Sequence, residues 1–320
     1  MKCFKPVLAL LSALCLAACG GDDDDNAQVS AEANLNRNST SAYAEAGRLE
    51  FPHLASGNSV VLIHKTSDNV DPDRVNYAVE WDIDKKSQRW TCYQMTKSNG
   101  ESKVSRYRGN PQYPLDPDLP SAYYLDRPSA DYSTRDYFYG SNFDHGHICP
   151  SADRLYSSQA NYQTFFLTNM QPQYSKFNGS DENYDGLSLW LAMENQVRDW
   201  VPKNTTDTMY ICKGGTIDDV MLNGTRSSGV LMRIQQKLIV PKYFFAAVLY
   251  KNSNGYRALA FWFEHTSKDI PSTARLSDYV ISIHELEEKT GIDFFCNLPD
   301  DTEKRVEATV ALNAWGKMRY

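Results

Sequence analysis

The feature that most constrains this chain is a succession of short β-branched and aromatic runs separated by turn-forming clusters. They fall at residues 60–63, 77–82, 90–95, 164–168, 209–212, 230–240, 243–250 and 258–264. Runs of this length and composition suit pleated, half-buried strands. Asp84-Lys85-Lys86-Ser87 between the second and third predicts a hairpin. Helical spacing is rarer. Trp190, Met193, Val197 and Trp200 share one helical face, and Ser282 with Glu285 three residues on predicts a capped helix that stops at Gly291. Many strands with few interspersed helices predict an α+β fold rather than a doubly wound parallel one. Residues 107–139, rich in Pro, Tyr, Asp and Gly, read as one long ordered loop.

The chain divides into three parts. Residues 1–18 carry Lys2 and Lys5 ahead of an apolar stretch and end in Leu16-Ala17-Ala18-Cys19. The stretch is too short to span a bilayer comfortably. This pattern resembles a bacterial lipoprotein signal, with lipid on Cys19. Residues 19–48, which include the acidic run Asp22 to Asp25 and almost no large apolar side chains, predict a disordered tether. The tether resembles that of surface-exported lipoproteins in some Gram-negative groups, which implies an anchor in the outer membrane. Residues 49–320 then form a single domain with no internal repeat. Its expected cysteines are Cys92, Cys149, Cys212 and Cys296, which admit two disulfides in three connectivities. Because Cys149 and Cys296 both fall in apparent loops, that pairing is preferred.

Net charge is −7 over 320 residues, which rules out a polycation but leaves room for a local basic groove. The chemistry concentrates in Asp144-His145-Gly146-His147 and Thr168-Asn169-Met170-Gln171-Pro172-Gln173, followed by Asn178. An imidazole accepts a proton near neutral pH. A side-chain amide is a neutral oxygen donor for a hard cation such as magnesium, which keeps most of its positions for water and phosphate. Water attacking a phosphodiester is the reaction these groups fit best.

Asp136-Tyr137, residues 144–153 and the Thr168–Gln173 motif with Asn178 together resemble the DNA/RNA non-specific endonucleases. These are ββα-metal (His-Me finger) enzymes and relatives of endonuclease G. The similarity runs from the hairpin at residues 77–95 to Gly291-Ile292-Asp293-Phe294-Phe295. It implies a ββα-metal nuclease fold with a central, mostly antiparallel sheet flanked by helices. It further implies Mg2+ (or Mn2+) as cofactor, DNA and RNA held through their phosphates, and products with 5′-phosphates and 3′-hydroxyls. By the same resemblance His147 is the general base, Asn178 the metal ligand and Asn169 a positioner of substrate or water. Glu194, in Trp190-x-x-Met193-Glu194, would hold metal-bound water. Arg108 would stabilise the phosphoryl transition state, with Arg106 its rival. His145 stands where the family usually has Arg, near the substrate phosphate. Residues 180–187 read as an insertion between Asn178 and Trp190.

Three other readings compete. His145-x-His147-x-Cys149 has alternate spacing that suits a zinc cluster, although it leaves the asparagines unexplained. A surface-binding lipoprotein would have no catalytic need of His147, and His145 in place of the usual arginine motivates a catalytically weak nuclease that binds nucleic acid without cutting it. Lys213-Gly214-Gly215 reads as a strand end and turn.

Overall fold

A computed structural model describes residues 33–125 and 137–319. The strands are β1 (Ser59–Lys65), β2 (Val75–Asp82), β3 (Ser87–Met95), β4 (Asp144–His147), β5 (Met170–Gln173), β6 (Thr208–Gly215) and β7 (Val220–Leu222). After them come β8 (Thr225–Ser227), β9 (Val230–Ile234), β10 (Leu238–Pro241), β11 (Tyr243–Asn252), β12 (Gly255–Glu264) and β13 (Val280–Ile281). The helices are α1 (Ser158–Gln163), α2 (Ser175–Asn178), α3 (Leu189–Asp199), α4 (Ile283–Thr290) and α5 (Asp300–Glu307).

Seven strands form one antiparallel sheet in the order β1-β2-β3-β6-β11-β12-β13. Side chains alternate between its faces, so each central strand feeds two cores. On one face Tyr77, Val79, Tyr93, Ile211 and Phe244 pack with Trp190, Met193 and Val197 of α3. On the other, Ala78, Cys92, Cys212 and Phe245 pack with Ile283 and Leu286 of α4 and Val306 of α5. A central sheet covered on both sides explains why β2 is buried along its whole length. The fold is α+β, as the strand-rich sequence predicts.

Several details differ from the sequence-based expectation. Residues 164–168 end α1 and enter a 3-10 turn at Leu167–Asn169, and the strand begins only at Met170. Residues 230–240 are not one strand but the hairpin β9–β10. Gln235 and Gln236 both adopt positive φ (49° and 61°) and turn the chain between its strands. Ser282 caps α4 by accepting from the Glu285 amide (3.1 Å), and Gly291 closes it at φ 69°.

The ordered domain also starts earlier than residue 49. The Asn34 amide donates to the Cys296 and Leu298 carbonyls (3.2 and 2.6 Å), and Asn38 donates to Ala46 and Pro52. Tyr43 and Ala46 join the second core. Polar composition suggested a tether, but from residue 33 on these asparagines bond backbone carbonyls of the domain. Cys19 and Asp136 lie outside the described residues.

The cysteines are the clearest correction. All four are free and buried. Cys149 belongs to the core on one face of the sheet, whereas the Cys296 thiol lies against the carbonyl of Phe51 (3.9 Å), a residue of the core on the other face, so the preferred pairing does not form. Cys92 and Cys212 are register partners on β3 and β6, and burial above all pushes both thiols far up. Such thiols are inert. Thiol titration of the purified domain from residue 33 should give four reactive groups per chain in denaturant and essentially none in native buffer. Fewer than four under non-reducing denaturation would contradict the reduced state.

Candidate active site

Apart from the large sheet, β4 and β5 pair with each other in antiparallel register, His147 opposite Met170 and Asp144 opposite Gln173. Helix α2 follows β5 directly and ends on Asn178, with Gly179 at φ 85° as its left-handed cap. This is the β–β–α unit implied by the resemblance. Three side chains of the Thr168–Gln173 motif fix it in place. Asn169 Oδ1 accepts from the Cys149 amide (2.8 Å), while its Nδ2 donates to the Cys149 and Thr164 carbonyls (2.9 and 2.7 Å). Gln171 donates to the Gln88 and Gly215 carbonyls and accepts from the Gly215 amide, tying β5 to the main sheet. Thr168 Oγ1 donates to Asp116 Oδ2 (2.5 Å).

Asn169 is therefore a backbone clamp. It is fully buried and its amide groups are all engaged, so it does not position substrate or water as expected. A Cβ on Gly146 would sit 2.3 Å from the Gln173 side chain, so the glycine makes room for Gln173.

His147, Asn178, Glu194, His145 and Arg106 all line one open cleft of ≈ 460 Å³, together with Tyr113, Asp144 and Arg198. Arg108 is not among its lining residues, whereas Arg106 is. Arg106 lies over the Phe165 ring, 4.8 Å from its centroid. His145 is stacked between Tyr113 and Phe138, with ring centroids 3.7 and 4.1 Å away.

The electrostatics favour a neutral base. Burial, followed by the positive charge of Arg106, pushes His147 down to about 3, against a backbone hydrogen bond to His145 that raises it. Its imidazole is thus uncharged at neutral pH, and Nε2 has no protein partner. Trp190, expected in the core, is there; its Nε1 donates to the His147 carbonyl (3.2 Å) and so steadies the base from α3.

Asn178 is oriented by Asp144. Its Nδ2 donates to Asp144 Oδ2 (3.0 Å), and Ser175 and Ser180 donate to the same carboxylate. With nitrogen so engaged, Oδ1 is the atom left to face a cation, and a carboxylate behind a ligand is a common way to fix one. Glu194 faces the cleft from α3. Burial raises its carboxyl, while Lys213 and Arg198 pull it back. One amide oxygen plus one carboxylate, with room for water, suits magnesium.

The sequence reading missed the support of Glu194. Lys213 is almost wholly buried on β6, with Nζ 3.4 Å from Glu194 Oε1 and 4.9 Å from the Trp190 ring centroid. Arg198 pairs with Asp153 (2.9 Å), which also accepts from the Tyr93 hydroxyl. Arg198 was legible at i+4 from Glu194. Lys213, inside an apolar run, was not. The zinc cluster does not form, because Cys149 is buried in the core. Among the described residues the one His/Cys/carboxylate group close enough to share an ion is His64, Asp116 and Asp118.

Residues 58–301 match the family model described as DNA/RNA non-specific endonuclease. The chain is 26% identical over 268 residues to a nuclease of Nostoc sp., covering 81% of this chain and 85% of that protein. It is 24% identical over 250 residues to a nuclease of Serratia marcescens, covering 76% and 81%. It is 27% identical over 228 residues to mitochondrial nuclease EXOG of Mus musculus, covering 70% of this chain but 56% of that one. In fold, it resembles a chain from the crystal structure of an EndoG/EndoGI complex, with TM-score 0.56, 15% identity and coverage of 74% and 86%.

The clamp role of Asn169 has a measurable consequence. Asn169→Ala strands one buried N–H and two buried carbonyls, and should cost on the order of 3 kcal/mol of stability. Chemical denaturation measures it, and a loss below about 1 kcal/mol would mean the amide is dispensable.

Proposed function

The chain belongs to the DNA/RNA non-specific endonuclease family, and on that premise we propose a secreted, membrane-tethered, magnesium-dependent enzyme. It hydrolyses phosphodiester bonds of DNA and RNA with little sequence specificity. The observation that carries this reading is that a neutral His147 and an Asp144-oriented Asn178 face one cleft that Arg106 and Glu194 also line.

His147, uncharged and lining the cleft, takes the proton of the attacking water. Its low proton affinity is set largely by burial and by nearby positive charge, and a phosphate entering the cleft offsets part of the latter. Arg106 neutralises the phosphoryl oxygens. A magnesium ion held by Asn178 Oδ1, with Glu194 fixing its waters, would supply charge stabilisation on the phosphate and a proton for the departing oxygen. Lys213 and Arg198 pair with Glu194 and favour its anionic form against the burial that raises its carboxyl. His145 occupies the usual arginine position as a ring clasped between two others, so its grip on phosphate is weaker than a bidentate arginine would provide. Substrate contact through phosphates explains the lack of base preference.

Export and anchoring rest on the leader sequence and on Cys19. Four deeply buried thiols are compatible with an oxidising compartment, since burial shields them from oxidants.

The mature chain should nick plasmid DNA and degrade RNA with magnesium and do neither in EDTA. His147→Ala should lower the cleavage rate by at least about 100-fold, the usual scale for loss of a general base. Magnesium-independent cutting, or an active His147→Ala, would contradict the assignment.

A further inference from the structure

Behind the cleft lies a buried charged group that the mechanism does not use. His64, on β1, has 1% of its surface exposed. Its Nε2 is 3.1 Å from Asp116 Oδ2, and its Nδ1 is 3.5 Å from Asp118 Oδ2. Tyr77 and Phe166 wall the ring, with centroids 4.4 and 5.4 Å away. The other titratable groups around it are the Tyr124 hydroxyl, which bonds the Asp116 backbone, and the Cys149 thiol, an electrostatic neighbour of Tyr77. Among the described residues no lysine or arginine pairs with either carboxylate, so His64 is the cation that balances them.

The same three residues are close enough to share a metal ion. The geometry disfavours that use. Asp116 and Asp118 approach opposite ring nitrogens, and one ion reaches only one nitrogen of an imidazole. An imidazolium, whose charge is shared by both nitrogens, suits a carboxylate on each side; the two contacts are ion pairs, and neither has hydrogen-bond geometry.

We infer that His64 is a positioning residue: as an imidazolium it holds Asp116, which through Thr168 fixes the Asn169 clamp and hence the strand bearing His147. Every link is short. Asp116 Oδ2 accepts from Thr168 Oγ1 (2.5 Å); Asn169 follows in the chain and grips Cys149, two residues beyond His147. Asp116 Oδ1 meanwhile accepts from the Asp118 amide (2.9 Å), which sets the turn that carries both carboxylates. Losing the positive charge would leave Asp116 buried without its partner and loosen the seat of Thr168.

Burial alone would drive the imidazole down, but Asp116 and Asp118 outweigh it and hold His64 up at about 9. A folded-state value above the unfolded one contributes stability that is complete below about pH 6.5 and disappears as pH rises through about 9. The clamp should therefore relax in the same window in which His147, neutral throughout, does not titrate.

This inference rests on the nuclease reading for its kinetic arm but not for its spectroscopic one. In long-range 1H–15N spectra of the full chain, assigned with H64Q, the His64 ring should be protonated on both nitrogens at pH 7.5 and titrate near 9. Asp116→Asn, nearly isosteric and still able to accept from Thr168, should lower that titration by more than one pH unit. In plasmid cleavage with magnesium, H64Q and Asp116→Asn should each reduce kcat about tenfold or more at pH 7.5 and leave KM within about threefold. The wild-type fall in activity and in Tm towards pH 9 should move to lower pH in Asp116→Asn and vanish in H64Q. A neutral His64 ring at pH 7.5 would overturn the inference, as would unchanged kcat in Asp116→Asn. So would selective broadening of His64 by micromolar Mn2+, which would make the group a cation site. A wild-type chain that cuts nothing would sink the nuclease reading alone, since the ring spectra would still report whether His64 is charged.

Discussion

The structure of the cleft depends on one buried amide. Asn169 makes three hydrogen bonds to backbone, and through them the segment after His147 cannot move independently of the 3-10 turn that precedes β5. The two short strands share only four register pairs, too few to hold a catalytic geometry unaided. Asn169 at one end and Gln171 at the main sheet supply the missing rigidity. Asn178 inherits it, because α2 leaves β5 within two residues and Asp144 reaches across from β4 to hold its amide. Base and candidate metal ligand thus derive their relative position from one small, cross-braced unit.

Charge at the cleft is arranged in layers. Nearest the substrate stand the neutral His147 and the cation Arg106. Beneath them Glu194 is held between Lys213 and Arg198, and Arg198 is anchored in turn by Asp153 and Tyr93. A buried ion pair of this kind contributes little net stability, because desolvation offsets most of the attraction. Its effect is to fix an anion at a chosen place in a medium where fixed charge acts strongly. Deeper still, His64 balances Asp116. Each layer sets the orientation of the one above it.

Much of this was legible in the sequence. Strand runs, the α3 face and the Ser282 cap follow directly from residue periodicity, and His147, Asn178 and Glu194 do meet at the cleft. What the sequence did not reveal shares a physical reason: it does not say which partner a polar side chain will choose. Asn169 looked like a substrate contact because amides near a histidine often are, yet backbone groups claimed it. Arg106 and Arg108 are equivalent on paper, and only the path of an irregular loop puts Arg106 over Phe165 and into the cleft. Lys213 looked like the end of a strand because an apolar run gives no hint of a buried carboxylate opposite. Asn34 and Asn36 looked like tether because hydrogen bonds to carbonyls and carboxylates more than 250 residues away leave no local pattern. The cysteines were paired from apparent loops, whereas two lie on central strands and the other two on opposite faces of the sheet.

The central claim is that the cation works at Asn178 and Glu194, opposite His147, and that the His64 group is an imidazolium clamp. Anomalous diffraction from crystals soaked in Mn2+ tests it most directly. The account predicts one peak in the cleft, at Asn178 Oδ1 and on the side facing Glu194. A peak beside His64, Asp116 and Asp118, with none at Asn178, would contradict it.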